Sequence, residues 1–167
     1  MINISLKKLL KTAAFGCLFA LLLPIITNQA GVFAQNELPS SGLQQQDPWT
    51  AADLLAPADL ARSIETGAKN EIPLILSVGP AALIKGSVDI GPASEKAPLQ
   101  KLKQTLQNQP RDKEIVIYCG CCPFSHCPNV RPAFKLLKEM HFTKAKLLNL
   151  QHNIRTDWMD KGYPTKQ

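Results

Sequence analysis

Aromatic residues are scarce in this chain, ten among 167, and its Lys and Arg are scattered rather than gathered along one stretch. That excludes the basic, aromatic-lined groove on which nucleic acid stacks. No cysteine lies between Cys17 and Cys119 or beyond Cys127. Disulfides therefore cannot staple distant parts of the fold, as they do in small secreted scaffolds. The longest apolar run, Ala13 to Ile26, has 14 residues, short of the ~20 that a membrane-spanning helix needs. No internal repeat is visible, which excludes solenoids and propellers.

What is present begins with an address. Lys7, Lys8 and Lys11 precede the apolar run, and Val32-Phe33-Ala34 follows it ahead of Gln35; charge, apolar core and small residue at the cut make a secretory signal peptide over 1–34. Cys17 sits inside the apolar run, which does not suit a lipid-anchored cysteine, and no stable membrane anchor is expected after cleavage. Removing 1–34 takes away three lysines and no acids, lowering the formal charge from +6 to +3 on 133 residues. Such a balance names no partner, although it mildly favours an anionic substrate. A chain of that length buries one core, so a single domain over 48–167 is expected behind a Pro-, Ser-, Gly- and Gln-containing flexible leader, 35–47. Export to an oxidising compartment, the periplasm or beyond, follows from the signal.

Apolar runs alternate with helical patterns, the order of an α/β fold with an open parallel sheet and helices on both faces. The expected elements are a short edge strand at Asp53–Leu55 and a helix from Pro57 with Leu60, Ala61 and Ile64 inward, ended by Gly67. A buried strand Leu74–Val78 follows, stopped by Gly79-Pro80, then a short helix Ala81–Lys85 and a strand at Val88–Ile90. Leu99, Leu102 and Leu106 share one helix face, and Glu114–Tyr118 is the central strand. Asn129 is expected to cap a helix whose inner face is Phe134, Leu137 and Met140, with Pro132 tolerated in its first turn. Ala145–Leu150 is the last strand and Thr156–Gly162 the last helical turn.

The chemistry is concentrated at the end of the central strand. Ile115-Val116-Ile117-Tyr118 runs into Cys119-Gly120-Cys121-Cys122-Pro123-Phe124-Ser125-His126-Cys127-Pro128, four cysteines within nine residues. Any bridge among them closes a loop of a few residues, so they make a site rather than a staple. A strand end ahead of a helix is where open α/β sheets bind ligands, and backbone N–H groups at a helix head favour a thiolate over a thiol.

From Glu114 to Pro164 the chain resembles the rhodanese-like family. The matching features are the strand ending in Tyr118-Cys119, the loop, the helix with Ala133-Phe134-Lys135-Leu136-Leu137, the turn His141-Phe142-Thr143, and the closing Trp158-Met159-Asp160-Lys161-Gly162-Tyr163-Pro164. Between Trp49 and Ala93 the resemblance is weaker: Leu74–Ile84 and Gly86–Ala93 fill the places of the first core strand and of the Gly-His-Ile-Pro-Gly-Ala turn. Departures are Ser77 and Gly79 for an Asp and an Arg, Ser87 near a usual His, and His141 for a Gly. The loop also has about ten residues between Cys119 and Asn129 instead of six or seven, with three extra cysteines.

The resemblance implies a sulfurtransferase. Cys119 is the nucleophile that takes sulfane sulfur from thiosulfate or a similar donor, carries it as a persulfide and passes it to cyanide or a thiol. Its partners are then small molecules or protein thiols, with no cofactor, no metal and no nucleic acid. Substrate contacts are expected from the backbone of Gly120, Cys121, Cys122, Phe124 and Ser125, and from His126 and Arg131, the nearest side chains able to hold an anion. Cys122 and Cys127 are auxiliary thiols able to resolve a Cys119 persulfide as a disulfide. Two rivals belong to other classes: a thiol-disulfide protein using the Cys119/Cys122 pair, and a Zn or Cu module built from Cys119, Cys121 or Cys122, Cys127 and His126. Trp158 and Trp49 are expected to pack, His141 and His152 to be surface residues on connections, and Asp53 and Asp59 to be helix-start acids.

Overall fold

Apolar runs without polar alternation need cover on both faces, which a parallel sheet between helix layers supplies. The computed structural model describes residues 46–67 and 72–167; the expected signal segment and most of the leader lie outside them. The elements in chain order are β1 (Leu54–Leu55), α1 (Pro57–Thr66), β2 (Leu74–Ser77), β3 (Val88–Asp89), α2 (Lys96–Gln107), β4 (Ile115–Tyr118), α3 (Val130–Glu139), β5 (Ala145–Leu148) and α4 (Ile154–Asp157), with 3-10 turns at Ala51–Asp53, Phe124–His126 and Met159–Lys161. The sheet is open and all-parallel, ordered β1-β5-β4-β2-β3. β4 is therefore the middle strand.

Side chains alternate across the sheet, as the two-residue strand period requires. Leu76, Ile115, Ile117 and Leu147 pack with Leu102 and Leu106 of α2 and with Val130, Ala133, Phe134 and Leu137 of α3. Ile75, Val116, Tyr118 and Leu148 pack on the other face with Leu60, Ala61 and Ile64 of α1 and with Trp158. Fully burying each large aliphatic contributes about 1.5–3 kcal/mol. Trp158 also donates its indole N–H to the Pro164 carbonyl at 3.0 Å and meets Tyr163 edge-on at 5.2 Å, so the closing Trp-to-Gly-Tyr-Pro segment is one packing unit. Trp49 is buried against Phe124 and Phe134, centroids 6.0 Å from each.

Local chemistry explains the element ends. α3 stops in a left-handed cap: His141, at φ +62°, donates to the Lys138 carbonyl, Phe142 donates to that of Leu137, and both Leu137 and Phe142 lie in the core. That is the place where the family pattern has Gly. α4 starts at Ile154, earlier than the expected Thr156, and is capped by Asn153, whose side chain accepts the Thr156 N–H at 2.9 Å. β5 ends at Leu148 rather than Leu150, and Asp53 closes the turn before β1 with Thr50.

The expected helix Ala81–Lys85 is corrected: that stretch is irregular, with Ile84 in a β-bridge and Lys85 entering a turn. Ile84 bridges antiparallel to Thr165, Lys85 donates to Pro164, and Lys166 donates to Leu83. The Ile84 N–H also reaches the buried Tyr118 hydroxyl at 3.2 Å, and that hydroxyl contacts Ser87 Oγ. These long-range bonds override a weak local helix preference.

Candidate functional site

β4 carries Cys119 to the carboxyl edge of the sheet, where it is buried. Beside it the chain leaves β2 through Val78 and Gly79. A Cβ built on Gly79 would lie 2.8 Å from Cys119 Sγ, so backbone rather than side chain covers the sulfur there. Gly120 follows for a similar reason: its Cβ would meet Ile154 at 2.7 Å, while its carbonyl accepts the Ile154 N–H at 2.9 Å. The loop is then pinned by Phe124 N–H to Leu150 O at 3.0 Å and turned by His126 N–H to Pro123 O and Cys127 N–H to Phe124 O.

That folding converges all four thiols. The sulfurs of Cys119, Cys121, Cys122 and Cys127 lie within 4.8 Å of one another, with Cys119 to Cys121 at 3.3 Å and Cys121 to Cys122 at 3.4 Å. Cys119 and Cys127 are buried, Cys122 is half-buried and Cys121 is exposed; no pair among them is bridged. The group thus runs from the core to the surface.

Asn129 is the residue whose side-chain role the sequence did not reveal. It does stand at the N-cap position of α3, as expected, but its backbone is already helical and its side chain makes no capping bond. Instead Oδ1 accepts the Ser94 N–H at 3.1 Å and Nδ2 donates to Cys119 Sγ at 3.6 Å. Because the Ser94 N–H can only donate, the amide must present its NH₂ to the sulfur. A signal was available: Asn129, Ala133 and Leu137 are spaced four apart, so the helix period turns Asn129 to the inner face.

These contacts set the acid-base character of the cluster. The Cys119 thiol is pulled down to about 5, chiefly by hydrogen bonding from Cys127, against the opposing effect of burial, with the Cys121 N–H and Asn129 amide adding to the pull. Cys121 is pushed up to about 12 by burial and by its thiol neighbours, and Cys127 is pushed up by its bond to Cys119 and by burial. An anionic Cys119 beside protonated Cys121 and Cys127 is the outcome, because a second charge at this distance is repelled.

The other expected contacts fall in different places. The Cys121 thiol lies 3.3 Å from Cys119 Sγ, but the Phe124 N–H is taken by Leu150. Ser125 Oγ and His126 Nδ1 bond each other at 2.9 Å, and His126 is not one of the converging ligand groups. Arg131 donates to the Ser125 carbonyl at 2.8 Å and to Asp47 at 2.6 Å, with its guanidinium 5.4 Å from the Trp49 ring centre. It braces the loop against the end of the leader. His152 has a partner the sequence did not suggest, with its ring nitrogen 2.9 Å from Asp157.

No family model matches the chain, and no curated protein matches it. Among solved structures, a structural-genomics protein from Lactobacillus plantarum matches with a TM-score of 0.51 at 15% identity, over 70% of this chain and 89% of that one. The likeness is one of fold. It supports the open α/β architecture and carries nothing about the cysteines.

Proposed function

We propose that this chain is an exported rhodanese-like sulfurtransferase that carries sulfane sulfur as a persulfide on Cys119. The observation that carries the proposal is a buried thiol at the carboxyl end of the central parallel strand, with the Asn129 amide donating to its sulfur and the Cys121 thiol 3.3 Å away. Donors so arranged stabilise the thiolate, the nucleophilic form. Further support is the resemblance of Glu114 to Pro164 to that family.

In the proposed step the Cys119 thiolate attacks the outer sulfur of thiosulfate. A sulfur–sulfur bond forms at Cys119, the one within thiosulfate breaks, and its electron pair leaves with sulfite. Cyanide or an acceptor thiol then attacks the terminal sulfur of the persulfide and regenerates the thiolate. No cofactor enters. The exposed Cys121 marks the side from which donor and acceptor approach, with Ser125 and His126 along the same loop.

The test is transfer from thiosulfate to cyanide by the mature, reduced protein. Cys119→Ser, nearly isosteric but unable to form a persulfide, is expected to abolish transfer with the fold intact by circular dichroism. Transfer persisting in that variant would move the nucleophile to another thiol. One distance favours a second reading, dithiol exchange, but with Cys121 rather than Cys122 as the partner, since Cys121 Sγ lies 3.3 Å from Cys119 Sγ. Reduction of a model disulfide by wild type and not by Cys121→Ser would select it.

A further inference from the structure

Carrying one sulfur atom needs one thiol; four converging thiols need another explanation. We propose that Cys119, Cys121, Cys122 and Cys127 form a closed four-thiolate site for a single thiophilic d10 cation of the Zn²⁺ type, and that loading it withdraws Cys119 from sulfur transfer. The regulatory half rests on the sulfur-carrier function proposed above, whereas the binding half does not.

Geometry carries the binding half. Tetrahedral zinc with Zn–S bonds of about 2.3 Å places its sulfurs about 3.8 Å apart. Here the two closest pairs are 3.3 and 3.4 Å apart and every pair is within 4.8 Å. Small side-chain rotations would bring such a group to one centre. All four ligands come from nine consecutive residues, and the loop between them is fixed through Phe124 to Leu150, just beyond β5, and through Gly120 to α4, so little order remains to be imposed on binding. The donor set is purely sulfur: no Asp or Glu occurs from Ile115 to Lys138, and His126, bonded to Ser125, stands outside the group. Soft thiolates without carboxylates select zinc-type ions over Ca²⁺ or Mg²⁺.

A second, independent observation is the shell around the sulfurs. Cys119 receives the Asn129 amide at 3.6 Å, and that amide is itself held by the Ser94 N–H on its oxygen. N–H groups aimed at ligand sulfurs disperse the negative charge of a metal-thiolate centre and fix its orientation. On loading, four metal–sulfur bonds form and the thiol protons pass to solvent, with no oxidant or reductant involved. A Cys119 sulfur that shares an electron pair with the ion carries less negative charge and is enclosed by the other three thiolates, so it is a poorer nucleophile toward thiosulfate.

The experiment uses the full mature chain, reduced and then freed of metal by chelation, titrated with Zn²⁺ and, for spectroscopy, with Co²⁺. Native mass spectrometry is expected to show one Zn²⁺ per chain, and Co²⁺ to give the intense visible bands of tetrahedral thiolate coordination. Cys121→Ser, altered at an exposed position, should fold normally yet lose zinc affinity by more than the about 10–100-fold that an outer-sphere partner is worth. Asn129→Ala should fall within about that 10–100-fold while keeping one ion per chain. Substoichiometric binding by wild type, or unchanged binding by both Cys121→Ser and Cys127→Ser, would overturn the site. Transfer that is active without metal and silent with one equivalent supports the gate, and transfer indifferent to loading refutes it. Stoichiometric binding with no transfer in either state upholds the site and removes the sulfur-carrier function instead.

Discussion

Replacing Asn129 should separate what holds the loop from what charges the sulfur. In Asn129→Ala the Cys119 thiolate loses one N–H donor at 3.6 Å. A hydrogen bond to a charged group is worth about 1.5–3 kcal/mol, which at about 1.4 kcal/mol per unit moves the thiol up by roughly one to two units from about 5. The sign follows from the direction of the shift: a depressed thiol is reactive above its folded pKa and loses reactivity as pH falls through it. Alkylation of Cys119 by iodoacetamide in reduced, metal-free protein should therefore have its midpoint near pH 5 in wild type and about one to two units higher in the variant. The same change strips the Ser94 N–H of its acceptor, costing about 1 kcal/mol of stability, the low end for a group that water can reach. Asn129→Asp splits the two effects. It keeps an acceptor for Ser94 but aims a carboxylate at the thiolate, so it raises the midpoint further than Ala does and costs stability at pH values where both groups are ionised. Identical alkylation midpoints in all three proteins, mapped to the Cys119 peptide, would refute the claim that Asn129 tunes the sulfur.

Gly79→Ala should place a Cβ 2.8 Å from Cys119 Sγ, well inside ordinary contact; about 1–3 kcal/mol of destabilisation is expected, measured by urea unfolding, with a larger proportional loss in the Cys119 alkylation rate. His141→Gly relieves a non-glycine residue at φ +62° and should stabilise the domain by about 0.5–1 kcal/mol, seen as a rise of a few degrees in Tm; an unchanged or lower Tm would contradict the left-handed cap.

How much of this was legible in the sequence differs by kind of residue. The sheet strands were readable because Leu74–Ser77 and Ile115–Tyr118 are continuous apolar runs, and α1 to α3 because their apolar residues repeat at helical spacing. Ala81–Lys85 was misread because its conformation is set by Tyr118 and by residues 164–166, bonds to which local propensity is blind. The cysteine loop announced a site by composition, but not its shape: that Cys121 and Cys122 both join the group while His126 turns to Ser125 depends on the 3-10 turn and its anchor at Leu150. The side-chain role of Asn129 was missed for a different reason. Asn before a helix is ordinarily a cap, and only the nearness of Ser94 and Cys119, remote in sequence, gives it other work. Arg131, read as an anion holder, is engaged by Asp47, Trp49 and the Ser125 carbonyl.

The most direct measurement is the fate of the outer sulfur of thiosulfate. Reduced, metal-free protein is incubated with thiosulfate isotopically labelled at that atom, the intact mass is read, and the modified peptide is sequenced. The account predicts one labelled sulfur per chain, located on Cys119, removed by cyanide as thiocyanate, and absent from Cys119→Ser. No label on any cysteine after exposure to thiosulfate, or label on another thiol with Cys119 untouched, would contradict it.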